Sequence, residues 1–476
     1  MIIVLQTINR SLSLLRLSPF ETSTAGGRSK ERFRRAALTT IASASSKAIA
    51  LLTGLISVPL TFRYLGAERY GIWMVLISII AAMSFADLGI GLGLMNAVSE
   101  AYGKDDRALA REYVTSALVM MLCIAAFLAL VGAVGYPFVP WQRLFNVRSE
   151  VAAAEGARAF LVLYGAFVVN IPLGVITRAQ AGLQKGYSSQ VVSAIGGIFS
   201  LGAMLLVIAL HDGLVWLVFA SVFAATVATL LNGWLLFRSH PWLLPSWNAY
   251  RKKSANRIHK LGLMFFVLQC GVAVSYSSDN IVIAQVLGAA AVAAYAVPQK
   301  LFSFVAMVVS IGIGPLWPAY GEALARGDGS WVRRAFMGSL WLTLAITIPL
   351  CTLLVLTGSW ILKVAVGRSL HASIALLVTL GTWGVVNAVS YVVAILLNGA
   401  GVLKVQSIVS VFASLINLAL SIFLTRRLGV MGVCLGSIIT QVGITLPVCC
   451  FLIRRMFRSL ATAKSSNDQD GILYLA

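Results

Sequence analysis

The chain of 476 residues carries 11% charged residues, against about 25% in soluble domains, and 59% of it is hydrophobic, with a mean hydropathy of +0.89. So few charges cannot cover the water-facing surface of a 50.8 kDa protein, which excludes a soluble enzyme, a coiled coil and a disordered chain. The net charge of +21 would point to nucleic acid in a soluble protein, but in a membrane protein the same excess is ordinarily the Lys/Arg bias of cytoplasmic loops.

In chain order, residues 1–35 come first. The apolar run precedes the arginines and no A-x-A site follows, so the segment does not read as a signal peptide. Leu5, Ile8, Leu12 and Leu15 share one helical face, which fits a short interfacial helix; a disordered tail is the other reading. Apolar runs of about 20 residues or more, enough to span a bilayer, then recur. They fall near 37–62, 70–96, 113–136, 159–180, 188–210, 214–237, 261–287, 291–318, 335–358, 372–398, 404–425 and 429–453. No long polar/apolar alternation occurs, so a β-barrel is excluded. Between the sixth and seventh runs, residues 238–260 hold Arg238, Arg251, Lys252, Lys253, Arg257 and Lys260 without an acid, interleaved with Trp242, Trp247 and Tyr250. Basic and aromatic residues beside a span suit the headgroup layer, so this segment is expected to meet anionic membrane lipids. With the N-terminus inside, the inner tails and loops hold 26 basic residues and the outer loops 9, which places both termini in the cytoplasm.

The six cysteines, Cys123, Cys270, Cys351, Cys434, Cys449 and Cys450, lie in apolar runs with no CxxC pair. They read as small hydrophobes, with no disulfide framework and no metal site.

The two halves resemble each other. Leu65-Gly66-Ala67 follows the first run and Leu287-Gly288-Ala289 the seventh, an offset of 222 between positions 65 and 287. At the same offset Glu100, Lys104, Asp106 and Arg111 match Glu322, Arg326, Asp328 and Arg333. Six spans per half give both halves one orientation, related by an axis along the membrane normal. The expected fold is an all-α polytopic membrane protein with twelve transmembrane helices in two six-helix lobes related by a parallel internal repeat. The expected organisation is a tail over 1–36, an N-lobe over 37–237, a basic linker over 238–260, a C-lobe over 261–456 and a C-terminal tail over 457–476.

The turn Tyr64-Leu65-Gly66-Ala67-Glu68-Arg69-Tyr70-Gly71-Ile72-Trp73 and the segment Ala86-Asp87-Leu88-Gly89-Ile90-Gly91 carry a family resemblance, together with Ser278-Asp279-Asn280-Ile281-Val282-Ile283 and Tyr295-Ala296-Val297. The chain resembles the polysaccharide-biosynthesis branch of the multidrug/oligosaccharidyl-lipid/polysaccharide (MOP) exporter superfamily over about residues 37–456. The resemblance implies flipping of an undecaprenyl-diphosphate-linked oligosaccharide, an O-antigen or exopolysaccharide unit, by lobes that alternate between inward- and outward-open states. It implies an inner-membrane location and glycan polymerase machinery as a partner. A lipid II-type flippase and a cation-coupled multidrug antiporter of the same superfamily are the alternatives.

Charges inside spans are expensive and ordinarily face a cavity or a partner. Four stand out: Lys47, Asp87, Asp279 and Lys300. Counting residues to either side of the Leu-Gly-Ala turns pairs Asp279 with Lys300 and Lys47 with Asp87, and all four are candidates for gating or coupling. Asp279 and Lys300 are also candidate lumen groups. Arg178 and Lys185, at the ends of the fourth and fifth runs, are candidates to attract a diphosphate, with plain inside-positive charge as the competing reading. Pro298 is the hinge candidate. Gly89/Gly93, Gly182/Gly186 and Gly432/Gly436 have the spacing of close helix contacts. No GxxxxGK[ST], GxSxG or HExxH is present, so neither a cofactor nor catalysis is expected. A membrane glycosyltransferase or polymerase would need an acid-bearing outer loop, and 137–158 offers only Glu150 and Glu155.

Overall fold

The computed structural model describes residues 18–145, 150–366 and 373–466. The interfacial helix expected over 5–15 lies outside them. The fold is all-α and divides into two compact units, Met1–Gly262 and Leu263–Ala476. Among the described residues, eleven helices are long and apolar enough to cross a membrane.

In the first unit, α1 (Ala25–Ala82) is kinked at Gly66 (φ 73°, ψ 173°), and α2 (Ile90–Gly103) follows a short 3₁₀ turn, Met83–Phe85. Next come α3 (Arg107–Gly135), α4 (Trp141–Phe145), α5 (Glu150–Gly182), α6 (Gly186–Leu210) and α7 (Gly213–Ser239). The helix begins at Ala25, inside the segment expected as a free tail, because Thr24 Oγ1 accepts from Gly27 N at 3.0 Å and caps it, and Glu31 with Arg34 and Arg35 supports the turns that follow. Glu31 accepts from Arg34 Nε at 2.7 Å and Arg35 Nε at 2.8 Å, the spacing of successive helical turns.

The second span, expected as one helix over 70–96, is broken. Leu88 (φ 49°) and Gly89 (φ 72°) take left-handed conformations that a helix cannot continue through. This is why the region falls short of a twelfth unbroken apolar helix. Around the break, Ile90, Leu94, Val98, Tyr113, Val175, Leu183, Leu243 and Ile258 form a buried core. The small-residue contacts are present: a methyl group on Gly93 would lie 2.8 Å from Ile258 O, so only hydrogen lets these helices meet.

The basic segment 238–260 belongs to the first unit and packs on it. Arg111 Nε donates to Leu244 O at 2.8 Å, Arg257 donates to Tyr113 Oη at 2.9 Å and also pairs with Glu100, and Ser254 Oγ donates to Glu112 at 3.0 Å. The basic groups expected to face lipid are thus divided: Arg257 is held by protein, while Lys252, Lys253 and Lys260 are exposed.

The second unit takes over within α8 (Lys252–Leu287) and continues through α9 (Ala289–Ile313), α10 (Leu316–Ala325), α11 (Gly329–Val366), α12 (Ile374–Gly399), α13 (Lys404–Leu428), α14 (Met431–Thr440) and α15 (Leu446–Ser466). A single π-turn, Gln441–Thr445, joins the last two. Val282, Ile283, Tyr295, Phe302, Leu354, Leu377, Leu380, Val433 and Cys434 form its core. Gly436 would bring a methyl group within 3.0 Å of Ser421 N, so α13 and α14 are joined by close backbone approach.

Candidate functional site

Each unit carries an aspartate inside its hydrophobic region, and neither meets the lysine that residue counting assigned to it. Asp87 sits in the break between α1 and α2. Its Oδ1 accepts from Gly89 N at 3.0 Å, and its carbonyl accepts from Ile90 N at 2.9 Å, so the side chain and backbone together start α2. The other carboxylate oxygen faces Arg178 of α5: a methyl group on Gly91 would touch Asp87 Oδ2 at 2.9 Å and Arg178 Nε at 3.1 Å. Gly91 is therefore the floor on which an acid and a guanidinium meet. Lys47 lies half-buried on α1, and Asp87 takes its hydrogen bond from Gly89 N, with Arg178 nearby. The count failed because a rise of about 1.5 Å per residue holds only within an unbroken helix, and 83–89 is not one.

Asp279 is 5% exposed in the core of the second unit. Its Oδ2 accepts a hydrogen bond from Tyr295 Oη at 3.0 Å, and its Oδ1 has no hydrogen-bond partner among the described residues. Tyr295 is buried, whereas Lys300 is exposed on the same helix. Five residues along an α-helix turn about 140° past a full circle, so Tyr295 and Lys300 point to different sides. The turn is centred on Gly288 (φ 92°). Folding the chain back there sets Asp279 level with Val297, nearer Tyr295 than counting from the sequence alone implied.

Arg178 lies near Asp87, across the space that Gly91 leaves open. Lys185 lies in the α5–α6 turn and donates from Nζ to His240 Nε2 at 2.7 Å, while Ser239 Oγ is 2.8 Å from Nδ1 of the same ring. Burial lowers the Lys185 pKa, and Arg35 and Arg34 lower it further against the pull of Glu31. Burial and then Lys185 likewise hold the His240 pKa below its ordinary value. Helix α9 runs unbroken through Pro298; the interruption in this region falls at Gly314 and Pro315.

Three features escaped the sequence reading. Tyr295 stands out in the sequence only as part of Tyr295-Ala296-Val297, although a tyrosine close to the mirror position of a buried acid is the natural donor. Gln180 and Asn232 form a reciprocal amide pair, both bonds 2.8 Å and both residues 2% exposed, joining α5 to α7. Glu155, expected in an outer loop, is part of α5. It accepts from Leu214 N at 2.9 Å and pairs with Arg69 at 2.9 Å, tying α1, α5 and α7 together. Among the described residues no group of His, Cys, Asp and Glu is arranged to hold a metal ion.

Long apolar helices with charges buried among them define a multi-pass membrane protein, and similar folds are known. The chain superimposes on a MATE transporter in its bent conformation with a TM-score of 0.77, at 15% identity over 96% of this chain and 99% of the other. An outward-facing multidrug resistance MATE family transporter of the MOP superfamily gives 0.73 at 15% identity, over 95% and 99% of the two chains. Residues 38–323 match the model of the polysaccharide biosynthesis protein family, and the chain belongs to that family. A Salmonella typhi protein described as an O-antigen transporter is 24% identical over 288 residues. That match covers 58% of this chain and 63% of the Salmonella protein's own length.

Proposed function

We propose that this transporter moves a lipid-linked oligosaccharide, an undecaprenyl-diphosphate-linked O-antigen or exopolysaccharide unit, across the bacterial inner membrane. The observation that carries this reading is the family match over 38–323, supported by the O-antigen transporter relative. In this reading the broken second span counts as a membrane crossing. The twelve spans then form two six-helix lobes, 37–237 and 261–456, with both termini cytoplasmic. The lobes alternate access, with Asp87 and Arg178 gating one lobe and Asp279 with Tyr295 the other. Lys47 and Lys300 act as charges on the transport path, and Pro298 loosens α9 by removing a backbone donor. Lys252, Lys253 and Lys260 contact anionic lipid, and glycan polymerase machinery receives the product. A lipid II-type substrate would use the same groups.

A second reading, cation-coupled export of multidrug-type solutes, has at least as much support from the fold, because the similar solved structures are MATE transporters. A specific observation also favours it: among the described residues Asp279 Oδ1 is a buried oxygen without a hydrogen-bond partner, a seat for a proton or small cation that would couple export to a gradient. Proteoliposomes separate the two readings. Flipping of a fluorescent undecaprenyl-diphosphate glycan, with no gradient-driven ethidium efflux, is expected from the first. Efflux without flipping assigns the chain to the second.

A further inference from the structure

Four basic groups converge from separate parts of the first unit. Lys185 comes from the α5–α6 turn, Arg35 from the start of α1, Arg107 from the start of α3 and His240 from the end of α7. Lys185 Nζ meets His240 Nε2 at 2.7 Å. The His240 ring stands edge-on to Trp242 with centroids 6.0 Å apart, and the Arg107 guanidinium lies 5.7 Å from the centroid of the same tryptophan. Arg35 donates to Tyr102 Oη at 2.8 Å. A methyl group on Gly186 would lie 3.1 Å from Thr39, one turn past Arg35 and bonded to its carbonyl, so the start of α1 packs beside the Lys185 turn; Lys185, Arg107 and Arg35 all add to burial in lowering the His240 pKa.

The charges there do not balance. Glu31 is the one carboxylate acting on Lys185 among the described residues, and Arg34 and Arg35 already hold it. Lys185 and Arg107 form no ion pair among the described residues. Crowded like charges repel most strongly where water is thin, and an anion with several oxygens would relieve all of them at once. The arrangement suits a tetrahedral oxyanion: Lys185 offers a point charge, Arg35 and Arg107 planar donors, and the aromatic rings of Tyr102 and Trp242 hold the guanidiniums in place.

We propose that Lys185, Arg35, Arg107 and His240 form a seat for a phosphate group, carried by a lipid or free as inorganic diphosphate. A bound oxygen competes with His240 Nε2 for the Lys185 proton. The seat deepens the flippase reading by giving the substrate's diphosphate a docking point; its role in transport rests on that reading, but its existence does not.

The test uses the purified full chain. Inorganic pyrophosphate is titrated in detergent while the unfolding temperature is followed. In a parallel arm, nanodiscs of phosphatidylglycerol are compared with nanodiscs of phosphatidylcholine. Saturable stabilisation is expected in at least one arm, with the responding arm naming the source. Lys185→Gln weakens the half-saturating concentration by about tenfold and Lys185→Arg retains it, as loss and retention of a charge-assisted bond require. Arg107→Gln, at an exposed position, gives the same reading if Lys185→Gln does not fold. Stabilisation in neither arm, or equal stabilisation of wild type and both glutamine variants, overturns the seat. Binding that persists while glycan flipping fails removes the flippase reading and leaves the seat standing.

Discussion

The first helical hairpins of the two halves begin alike and then diverge. At Gly66 (φ 73°, ψ 173°) and Gly288 (φ 92°, ψ 158°) the backbone takes the same positive-φ, extended turn, a region essentially reserved for glycine. Beyond the turn, the first half loses its helix over 83–89 through left-handed Leu88 and Gly89, whereas the second continues to Ile313 and passes Gly314 (φ −50°) and Pro315 (φ −62°) in right-handed geometry. The aspartates follow this difference. Asp87, in the break, finds a free backbone donor in Gly89 N. Asp279 lies inside an intact helix, where backbone N–H groups are already used four residues back. It must take its donor from a side chain, Tyr295, and one oxygen is left over. A break satisfies a buried acid locally; an intact helix leaves it dependent on its neighbours.

The largest expected effect breaks this contrast at the unsatisfied acid. Asp279→Asn lowers transport in proteoliposomes by about 100-fold, a change of about 2.7 kcal/mol, while Asp87→Asn lowers it far less. Equal losses would show that the unpartnered oxygen is not what distinguishes the two. Gly66→Ala and Gly288→Ala are next. No heavy atom lies within 4 Å of either added methyl group, so the penalty is conformational. Each should destabilise by about 1–3 kcal/mol, by similar amounts, in detergent thermal unfolding; a large difference would end the equivalence of the two turns.

Tyr295→Phe removes the donor to Asp279 and should destabilise the second unit by about 1–3 kcal/mol. Lys300→Ala should fall within about 0.5 kcal/mol of wild type, as exposed positions do. The reverse order would restore the lysine pairing. In the first half, Asp87→Asn and Arg178→Gln should be less than additive, because each alone strands the other's charge.

The smallest effect is one of pH. The folded-state pKa of His240 is depressed below its ordinary 6.5 by burial, Lys185, Arg107 and Arg35. The unfolded chain therefore binds the extra proton first as pH falls through about 6.5, and this contribution to stability is full above that pH and lost below it. His240→Gln should flatten that part of the unfolding-temperature profile.

Much of the fold was legible in the sequence because hydrophobic run length is a one-dimensional property. Leu65-Gly66-Ala67 and Leu287-Gly288-Ala289 marked the turns correctly, since glycine at positive φ leaves a local signature. The site was legible only in part. Asp87, Asp279, Arg178 and Lys185 stood out because charge in an apolar run is rare, but their partners did not. Counting along helices put Lys47 and Lys300 opposite the acids. The fold put Arg178 and Tyr295 there, because a break resets the register and a few residues rotate a side chain to another face. His240 gave no signal at all: it sits at a span end, and only folding brings Lys185 to it.

The sequence by itself determined that this is an apolar, helix-built chain with basic connections, where it turns, and which charges are expensive. Those follow from composition, periodicity and local backbone preference, each set by residues near one another in the chain. Tertiary structure decided which groups lie beside each charge, where the second span breaks, and that basic groups from three other segments come near Lys185. Those outcomes depend on direction and distance between helices, which bring Arg178 to Asp87 and Tyr295 to Asp279.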